Sequence, residues 1–245
     1  MEKNKERIAK RIAAAGLCSR RTAEQWIVDG RVAVNGQILS TPAFCVTDTD
    51  ILEVDGTALP QKTADRVWLY YKPVGQLTTH KDPQGRPTVF EKLPTALPRV
   101  VSVGRLDFNS EGLLILTTSG KWAHAMEKSG WKRTYRVRIH GHLTPEQIAK
   151  IQKGITVKGI RYAGADVSVE PDQSGGKNQW IRITITEGKN REIRKMMAFF
   201  GHEVSRLIRV SYGPFQLGKM ASGDLKEIPA KNLKEFLPCA LSVEN

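Results

Sequence analysis

Apolar positions near the start of the chain recur at helical spacing. Ile8, Ile12 and Ala15 fall on one face of a segment over residues 5–15, and basic side chains occupy the other positions around it. This pattern predicts a short amphipathic helix, and Gly16 is a suitable residue to end it.

A second helix and a hairpin follow directly in the sequence. Ser19 can cap a helix that runs to Gly30, because a serine hydroxyl accepts a hydrogen bond from the first turn. The pair Asn35-Gly36 separates two short apolar runs and predicts a type I′ hairpin turn. A further short strand is predicted over residues 51–54.

The remainder of the chain alternates between strand and helix patterns beyond a predicted linker at Pro60–Asp65. Strands are predicted at residues 67–71, 100–103, 113–117, 134–140, 166–169 and 180–186. Helices are predicted at residues 122–128, 145–153, 190–200 and 231–237, with a polar hairpin loop at residues 172–178. We therefore expect an α+β fold with two domains. A small domain spans residues 1–62, and a larger one over residues 63–245 has a mixed, mainly antiparallel sheet backed by helices.

Charge changes this picture from a generic α+β protein to one that meets a polyanion. The 245 residues carry a formal net charge of +13, with 40% hydrophobic and 26% charged residues. Residues 1–36 hold eight basic against four acidic side chains, while residues beyond 62 hold a net excess of 12 positive charges. Two separate basic regions favour a nucleic-acid partner over a solubility device.

Other classes of protein fit the sequence poorly. No run approaches the roughly 18 consecutive apolar residues of a membrane span, and the N-terminus lacks the apolar core of a secretory signal. The three cysteines are widely spaced, which indicates a reducing, cytoplasmic compartment. His140-x-His142 could present two ligands on one strand face, but no further ligand joins them, so we expect no metal.

Positive side chains in the first domain are the candidates for RNA contact. Two arginines fall in the first turn of the second helix, where a positive charge opposes the helix dipole, so a phosphate is the natural compensating group. The full set of candidates in this domain is Arg7, Lys10, Arg11, Arg20 and Arg21.

The most informative segment for chemistry begins Gly-Arg-Leu-Asp at Gly104. Arg105 and Asp107 are two residues apart, so in an extended chain both would project from the same face. A carboxylate held beside a guanidinium stays ionised and can act as a nucleophile or base. An isolated Arg-x-Asp pair is, however, most often an ordinary surface ion pair.

Several motifs together resemble a known family. Residues 11–36 are similar to the core of the alpha-L RNA-binding domain, which occurs in a small-subunit ribosomal protein and in RNA-modifying enzymes. Behind it come Lys-Pro-x-Gly at Lys72, Gly-Arg-Leu-Asp at Gly104, Arg-Thr-Tyr at Arg133 and Asn-Arg-Glu-Ile-Arg at Asn190. In this order they resemble the ribosomal RNA pseudouridine synthases of the RsuA/RluB type, and the tail from Arg206 is most similar to the RluB branch, which acts on large-subunit rRNA.

The resemblance implies an activity and a set of site residues. Asp107 would be the catalytic aspartate of a cofactor-free isomerase that converts a uridine of folded rRNA to pseudouridine. Tyr135 would stack on the uracil after the base has left its stack, and Arg194 would be the basic partner of the carboxylate. Arg105 would contact the nucleotide.

The predicted helix over residues 190–200 gives separate support for Arg194. The apolar stripe of this helix contains Ile193, and Arg194 lies 100° away from it at the border of the stripe. Arg191 and Lys195 fall on the opposite face, where we expect them to meet phosphate. The alternative is a charged surface helix on which Glu187 and Arg191 pair at i, i+4.

Several alternatives remain open from the sequence. The first step of the aspartate could be attack at the sugar carbon, addition to the base or proton abstraction from the sugar. The target could lie in small-subunit rRNA, and a rival interpretation is a non-catalytic RNA-binding or ribosome-assembly factor. We expect a monomer, since docking on RNA requires no partner subunit.

Overall fold

The computed structural model describes residues 5–60, 64–171 and 176–233 and divides the chain into two units. The first unit extends to residue 66 and includes the short segments 95–101 and 118–120, and the second unit holds the remainder. The predicted linker at residues 60–65, loop at residues 172–178 and helix at residues 231–237 fall partly outside the described residues.

The first unit packs two adjacent helices with short strands. Its elements are β1 (Glu6–Arg7), α1 (Ile8–Ala14), α2 (Arg20–Val28), β2 (Val32–Val34), β3 (Gln37–Ile38), β4 (Cys45–Val46), β5 (Leu52–Val54) and β6 (Thr57–Ala58). The strand order β3-β2-β5-β6 forms one antiparallel sheet, and β1 pairs with β4. The core of this unit contains Ile8, Ile12 and Ile27, none of which is exposed.

Local sequence signals determine much of this unit. The Ser19 hydroxyl accepts a hydrogen bond from Thr22 N at 3.1 Å and so caps α2 as predicted. Asn35 and Gly36 both have positive φ, at 51° and 80°, which is what a type I′ turn requires. The first helix is shorter than predicted, because Glu6 and Arg7 pair with β4 instead of extending α1.

The second unit is built on a large sheet. Its strands are β7 (Val67–Lys72), β8 (Val101–Val103), β9 (Glu111–Thr117), β10 (Arg133–His140), β11 (Thr156–Val157), β12 (Ile160–Arg161), β13 (Asp166–Val169), β14 (Asn178–Ile185), β15 (Val204–Tyr212), β16 (Phe215–Gln216) and β17 (Leu225–Ile228). Its helices are α3 (Gly120–Lys128), α4 (Pro145–Lys153) and α5 (Glu192–Phe199), and Phe90–Lys92 form one 3₁₀ turn.

The order of strands places two loops at the same end of the sheet. The main path is β13-β14-β10-β15-β9-β7-β17, with β8 and β16 attached to β9 and β15. The pairs of the main path and the pair of β15 with β16 are antiparallel, except β15 with β9, which run parallel. Because β9 and β15 are adjacent and run in the same direction, the loops that precede them lie at the same end of the sheet. The predicted α+β fold with a mixed, mainly antiparallel sheet is confirmed.

The longest strand, β15, is absent from the predicted strands. It lies between β10 and β9 in the middle of the sheet. Its sequence contains arginines at positions 206 and 209, and Arg209 is 2% exposed. A charged side chain at a buried position hides the apolar pattern by which a central strand is recognised.

Candidate active site

Asp107 lies in a loop between β8 and β9 whose backbone is fixed on both sides. The Thr78 hydroxyl donates to Leu106 O at 2.9 Å and accepts from Leu106 N at 3.3 Å. On the other side, Ser110 N donates to Asp107 O at 3.0 Å. The carboxylate itself remains 37% exposed, so it is held in place and still accessible to a substrate.

Two arginines of the α5 region meet this loop in different ways. Arg191 forms the ion pair with Asp107, with 3.6 Å between Nη1 and Oδ2. Arg194 donates from Nη2 to Asn109 O and from Nη1 to Val204 O, both at 2.8 Å. Burial lowers the pKa of Arg194, the charge of Arg191 lowers it further, and the charge of Asp107 opposes the shift. The structure therefore brings Asp107, Arg191 and Arg194 together.

This arrangement differs from the predicted helix at one point. Helix α5 begins at Glu192, and Arg191 precedes it with a left-handed backbone at φ 51°. Arg191 is thus outside the helix, so its predicted place on the opposite face of that helix was wrong. The alternative pair of Glu187 with Arg191 is also not what forms, because Glu187 pairs with Lys189. Lys195 donates to Asn190 Oδ1 at 3.3 Å.

A buried lysine beneath the loop was not singled out in the sequence as a site residue. Lys72 ends β7, is 0% exposed, and donates from Nζ to Ser110 O and Pro73 O at 2.8 Å each. Burial lowers the pKa of Lys72 to about 8, although the charges of Asp107 and Glu111 act in the opposite direction. The signal available in the sequence was a lysine that directly continues a fully apolar strand.

A second charge pair lies next to this lysine. The guanidinium of Arg206 in β15 donates to Glu111 through Nε at 2.6 Å and Nη2 at 3.0 Å, and Tyr71 OH donates to the same carboxylate at 2.9 Å. The hydrogen bonds from Arg206 lower the pKa of Glu111 against the effect of its burial. This carboxylate therefore stays ionised at the start of β9, one residue after the loop of Asp107.

Tyr135 and Arg209 are neighbours in the middle of the sheet. Tyr135 is 8% exposed and stands opposite Arg209 in the register of β10 and β15. Arg209 donates from Nε to Leu113 O at 2.7 Å and so links β15 to β9. Arg105 is exposed beside the buried Leu106, and the ion-pair partner of Asp107 is Arg191 instead.

The candidate RNA contacts of the first unit fall into two groups. Arg7, Arg20 and Arg21 are exposed, and no acidic residue lies in the first turn of α2. Lys10 and Arg11 instead pair with carboxylates of the same unit. Lys10 lies 3.5 Å from Glu6, and Arg11 binds both Glu6 and Asp48. Arg11 therefore has a role inside the unit that the sequence did not predict.

The geometry of the second unit suits chemistry by a carboxylate. Cations lie around a partly exposed aspartate, so a phosphate-bearing substrate is attracted to the same place. Among residues 5–60, 64–171 and 176–233, no group of three His, Cys, Asp or Glu side chains is placed to hold a metal ion. None of the helices described is both long and apolar enough to cross a membrane.

Comparison with known proteins identifies the class. The sequence matches the S4 domain family over residues 6–52 and the RNA pseudouridylate synthase family over residues 66–199. The chain therefore belongs to the RNA pseudouridine synthases and carries an S4 domain in front of its synthase domain. The resemblance found in the sequence is confirmed, and the protein is an enzyme.

Individual proteins of this family are similar to the chain over most of its length. The chain is 44% identical over 233 residues to an uncharacterized RNA pseudouridine synthase of Rickettsia typhi, covering 94% of this chain and 95% of that protein. It is 40% identical over 222 residues to the ribosomal large subunit pseudouridine synthase B of Yersinia pestis, covering 87% and 69%. A solved pseudouridylate synthase shares the fold, with a TM-score of 0.66, 23% identity and coverage of 93% and 98%.

Proposed function

We propose that this enzyme converts a specific uridine of large-subunit rRNA to pseudouridine and that Asp107 is its catalytic carboxylate. The observation that carries the proposal is the setting of Asp107. Its carboxylate is 37% exposed, its loop is fixed by hydrogen bonds on both sides, and Arg191 lies 3.6 Å away. A structural ion pair would not need so constrained a loop around an accessible carboxylate.

The reaction is an isomerisation, so it consumes neither a high-energy donor nor a redox partner. What it requires from the protein is a positioned carboxylate. The bond between uracil N1 and ribose C1′ breaks, the base turns within the site, and C1′ joins C5, which loses its proton while N1 gains one. Asp107 can begin this by attack at C1′, by addition to the base or by removal of a sugar proton. In each case the carboxylate of Asp107 is the reacting group, and Arg191 lies 3.6 Å from it.

The base must leave its stack to reach Asp107, which costs a few kcal/mol. Tyr135 offers an aromatic ring to the extruded uracil, and such stacking contributes roughly 1–3 kcal/mol per base. Arg105 is exposed in the same loop as Asp107 and contacts the nucleotide, while Arg191 and Lys195 contribute positive charge near its phosphates. Arg194 acts on the backbone of the loop.

Docking is the task of the first domain, for which we keep the boundary at residues 1–62. Arg20 and Arg21 are exposed at the capped N-terminus of α2, where unpaired N–H groups and two cations together suit a phosphate. Arg7 adds a further exposed cation, whereas Lys10 and Arg11 contribute less because carboxylates already bind them. The enzyme acts as a monomer in the cytoplasm.

The assignment to large-subunit rRNA rests on the relatives named ribosomal large subunit pseudouridine synthase B, at 36–40% identity. Deleting the gene and mapping every pseudouridine of both subunits tests this choice directly. Loss of one pseudouridine in large-subunit rRNA is expected. Loss in small-subunit rRNA instead would favour the alternative target.

The catalytic role is tested by Asp107→Asn, which preserves the shape of the side chain and removes its charge. We expect pseudouridine formation in the target RNA to fall by at least about a thousandfold, while RNA affinity stays within a few-fold. Asp166→Asn is a matched control, since Asp166 also lies 3.6 Å from a cation, Lys132, on an exposed strand. Wild-type modification by the Asp107 variant would show that the assignment is wrong. If the Asp107 variant lacked activity yet fully restored ribosome assembly, the protein would have a non-catalytic role in assembly in addition to its catalytic role.

A further inference from the structure

The turn between β14 and α5 holds Arg191 in an unusual conformation. Arg191 has a left-handed backbone, with φ 51°, which a residue with a side chain adopts only when its surroundings enforce it. The same residue makes the ion pair with Asp107. Something in the turn must therefore hold this backbone in place for Arg191 to reach the carboxylate.

Glu192, the first residue of α5, closes the turn with both its backbone and its side chain. Glu192 N donates to Lys189 O at 3.1 Å, and Lys189 N donates to Glu192 Oε2 at 3.0 Å. The Glu192 side chain is buried, with 3% of the residue exposed. Residues 189–192 thus form a closed loop in which Arg191 has little freedom.

The group that faces the buried Glu192 carboxyl is a second carboxyl. Glu192 Oε1 is buried and has no N–H or hydroxyl donor among the residues that the structure describes. The Glu187 and Glu192 carboxyl groups both bind Lys189, Glu187 at Nζ and Glu192 at the backbone N, and after burial a hydrogen bond with Glu187 is the next cause that raises the pKa of Glu192. Two carboxyl groups form a hydrogen bond only when one of them carries a proton.

The other contacts decide which carboxyl holds the proton. Glu187 accepts from Ala163 N at 2.7 Å and pairs with Lys189 Nζ at 2.7 Å, contacts that suit an anion. Burial acts to raise the pKa of Glu187, but the bonds from Lys189 and Ala163 outweigh it and lower this pKa. For Glu192, burial and then the bond to Glu187 raise the pKa to about 7. Glu192 is therefore the protonated member of the pair.

We propose that Glu192 is a positioning residue for the isomerisation: in its protonated form it donates to Glu187 and locks the turn that presents Arg191 to Asp107. This inference rests on the proposed catalytic role of Asp107. In this proposal Glu192 does not contact the substrate. Its protonation state instead controls the position of Arg191 beside Asp107.

Ionisation of Glu192 would place two anions side by side in a buried site. The charged and titratable groups around the pair are Lys189 and Arg191 within the turn, Arg194 in α5, Arg133 in β10, and Arg161 and Tyr162 at β12. Lys189 Nζ already binds Glu187 and Arg161 O, and Arg133 donates to Thr186 O and Tyr212 OH. Loss of the shared proton therefore removes the bond between the two carboxyl groups and sets two anions against each other, which opens the turn above neutral pH.

The first test compares pH profiles of the full-length enzyme in single turnover with its RNA. The wild-type rate should fall by at least about fivefold between pH 6.5 and pH 8.5, because the protonated fraction of Glu192 falls across this range. Glu192→Gln supplies a permanent N–H donor and should keep the pH 6.5 rate while losing this fall. Glu192→Ala should be slow at every pH. Glu146→Gln, at the equivalent first turn of α4, is the matched control and should follow the wild type.

The second test detects the proton without using activity. Infrared spectroscopy of the wild-type protein should show the carbonyl stretch of a protonated carboxyl at pH 6.5, and this band should disappear as the pH rises and be absent from Glu192→Gln. Absence of the band in the wild type, or identical pH profiles for wild type and Glu192→Gln, would overturn the proposal. If Asp107→Asn is inactive but Glu192→Gln has the same pH profile as the wild type, the role of Glu192 is wrong and the catalytic role of Asp107 stands. If Asp107→Asn is active, the catalytic assignment itself is wrong.

Discussion

Replacing Lys72 by methionine should change the stability of the enzyme in a way that depends on pH. The wild-type side chain is 0% exposed and gives hydrogen bonds to Ser110 O and Pro73 O at 2.8 Å. Methionine has a similar length and fills the same space, but it leaves both carbonyl groups without their donor. The substitution also removes a buried positive charge, and these two effects have opposite signs.

The magnitudes nearly cancel at neutral pH. Two unmatched carbonyls destabilise the variant by roughly 1–3 kcal/mol each. The pKa of Lys72 is lowered from 10.5 to about 8, so holding the charged form in the folded protein costs about 3 kcal/mol at pH 7. Removing that charge offsets most of the lost hydrogen bonding. We therefore expect a difference of about 1–2 kcal/mol or less between wild type and variant at pH 7.

The difference should grow with pH. Between about pH 8 and pH 10.5 the folded wild type has released the Lys72 proton while the unfolded chain still binds it, so the stability contributed by this site rises with pH. Lys72→Met has no such group, and its disadvantage should increase by about 3 kcal/mol across this window. Urea unfolding at several pH values measures this, and four of the five tryptophans report on the second unit.

Other groups that titrate in this range affect both proteins alike and cancel in the difference. Lys226→Met is the matched control, because Lys226 is exposed on β17, the strand that pairs with β7. The difference in free energy of unfolding between Lys226→Met and the wild type should not vary with pH. A difference for Lys72→Met that stays constant from pH 7 to pH 10 would contradict this prediction, since it would mean that burial does not lower the pKa of Lys72.

Two further substitutions test the fold and the docking surface. Gly112→Ala should destabilise the second unit by more than about 3 kcal/mol in urea unfolding, because the added Cβ would lie 2.4 Å from Arg209 O and the backbone has φ 102°. Gly120→Ala, where no atom lies within 4 Å, is its control, and equal stability of the two would contradict this account. Replacing both Arg20 and Arg21 by alanine should weaken RNA binding and lower the salt dependence of log Kd by about one to two units, and an unchanged slope would remove these residues from the interface.

Local signals allowed much of the fold to be predicted. The cap at Ser19, the turn at Asn35-Gly36 and the bounds of α4 depend on residues within a few positions of each other, and all three are confirmed. Thr144 forms a full capping box with Gln147, which explains why α4 begins where its sequence suggests. Such features need no knowledge of the tertiary structure.

Strand β15 shows where this approach fails. Its buried Arg209 donates from Nε to Leu113 O in β9, a partner 96 residues earlier in the chain, while Nη2 of Arg209 has no partner among the described residues. The hydrogen bond that partly offsets the burial of this charge thus comes from a distant strand. In the sequence, Arg209 is a charge that interrupts an apolar run. The parallel pairing of β9 with β15 also leaves no local pattern from which it could be predicted.

The two arginines of α5 show the same limit within the site itself. Arg191 and Arg194 are three residues apart, and both fall within the predicted helix over residues 190–200, which places Arg194 at the border of the apolar stripe and Arg191 on the opposite face. The helix begins two residues later, at Glu192, because the side chain of Glu192 binds Lys189 N and closes the turn. That closure frees Arg191 from the helix and directs it to the carboxylate, while Arg194 stays in the helix and binds the backbone at Asn109. The division of roles between the two cations therefore depends on a buried carboxyl that carries no charge while the turn is closed.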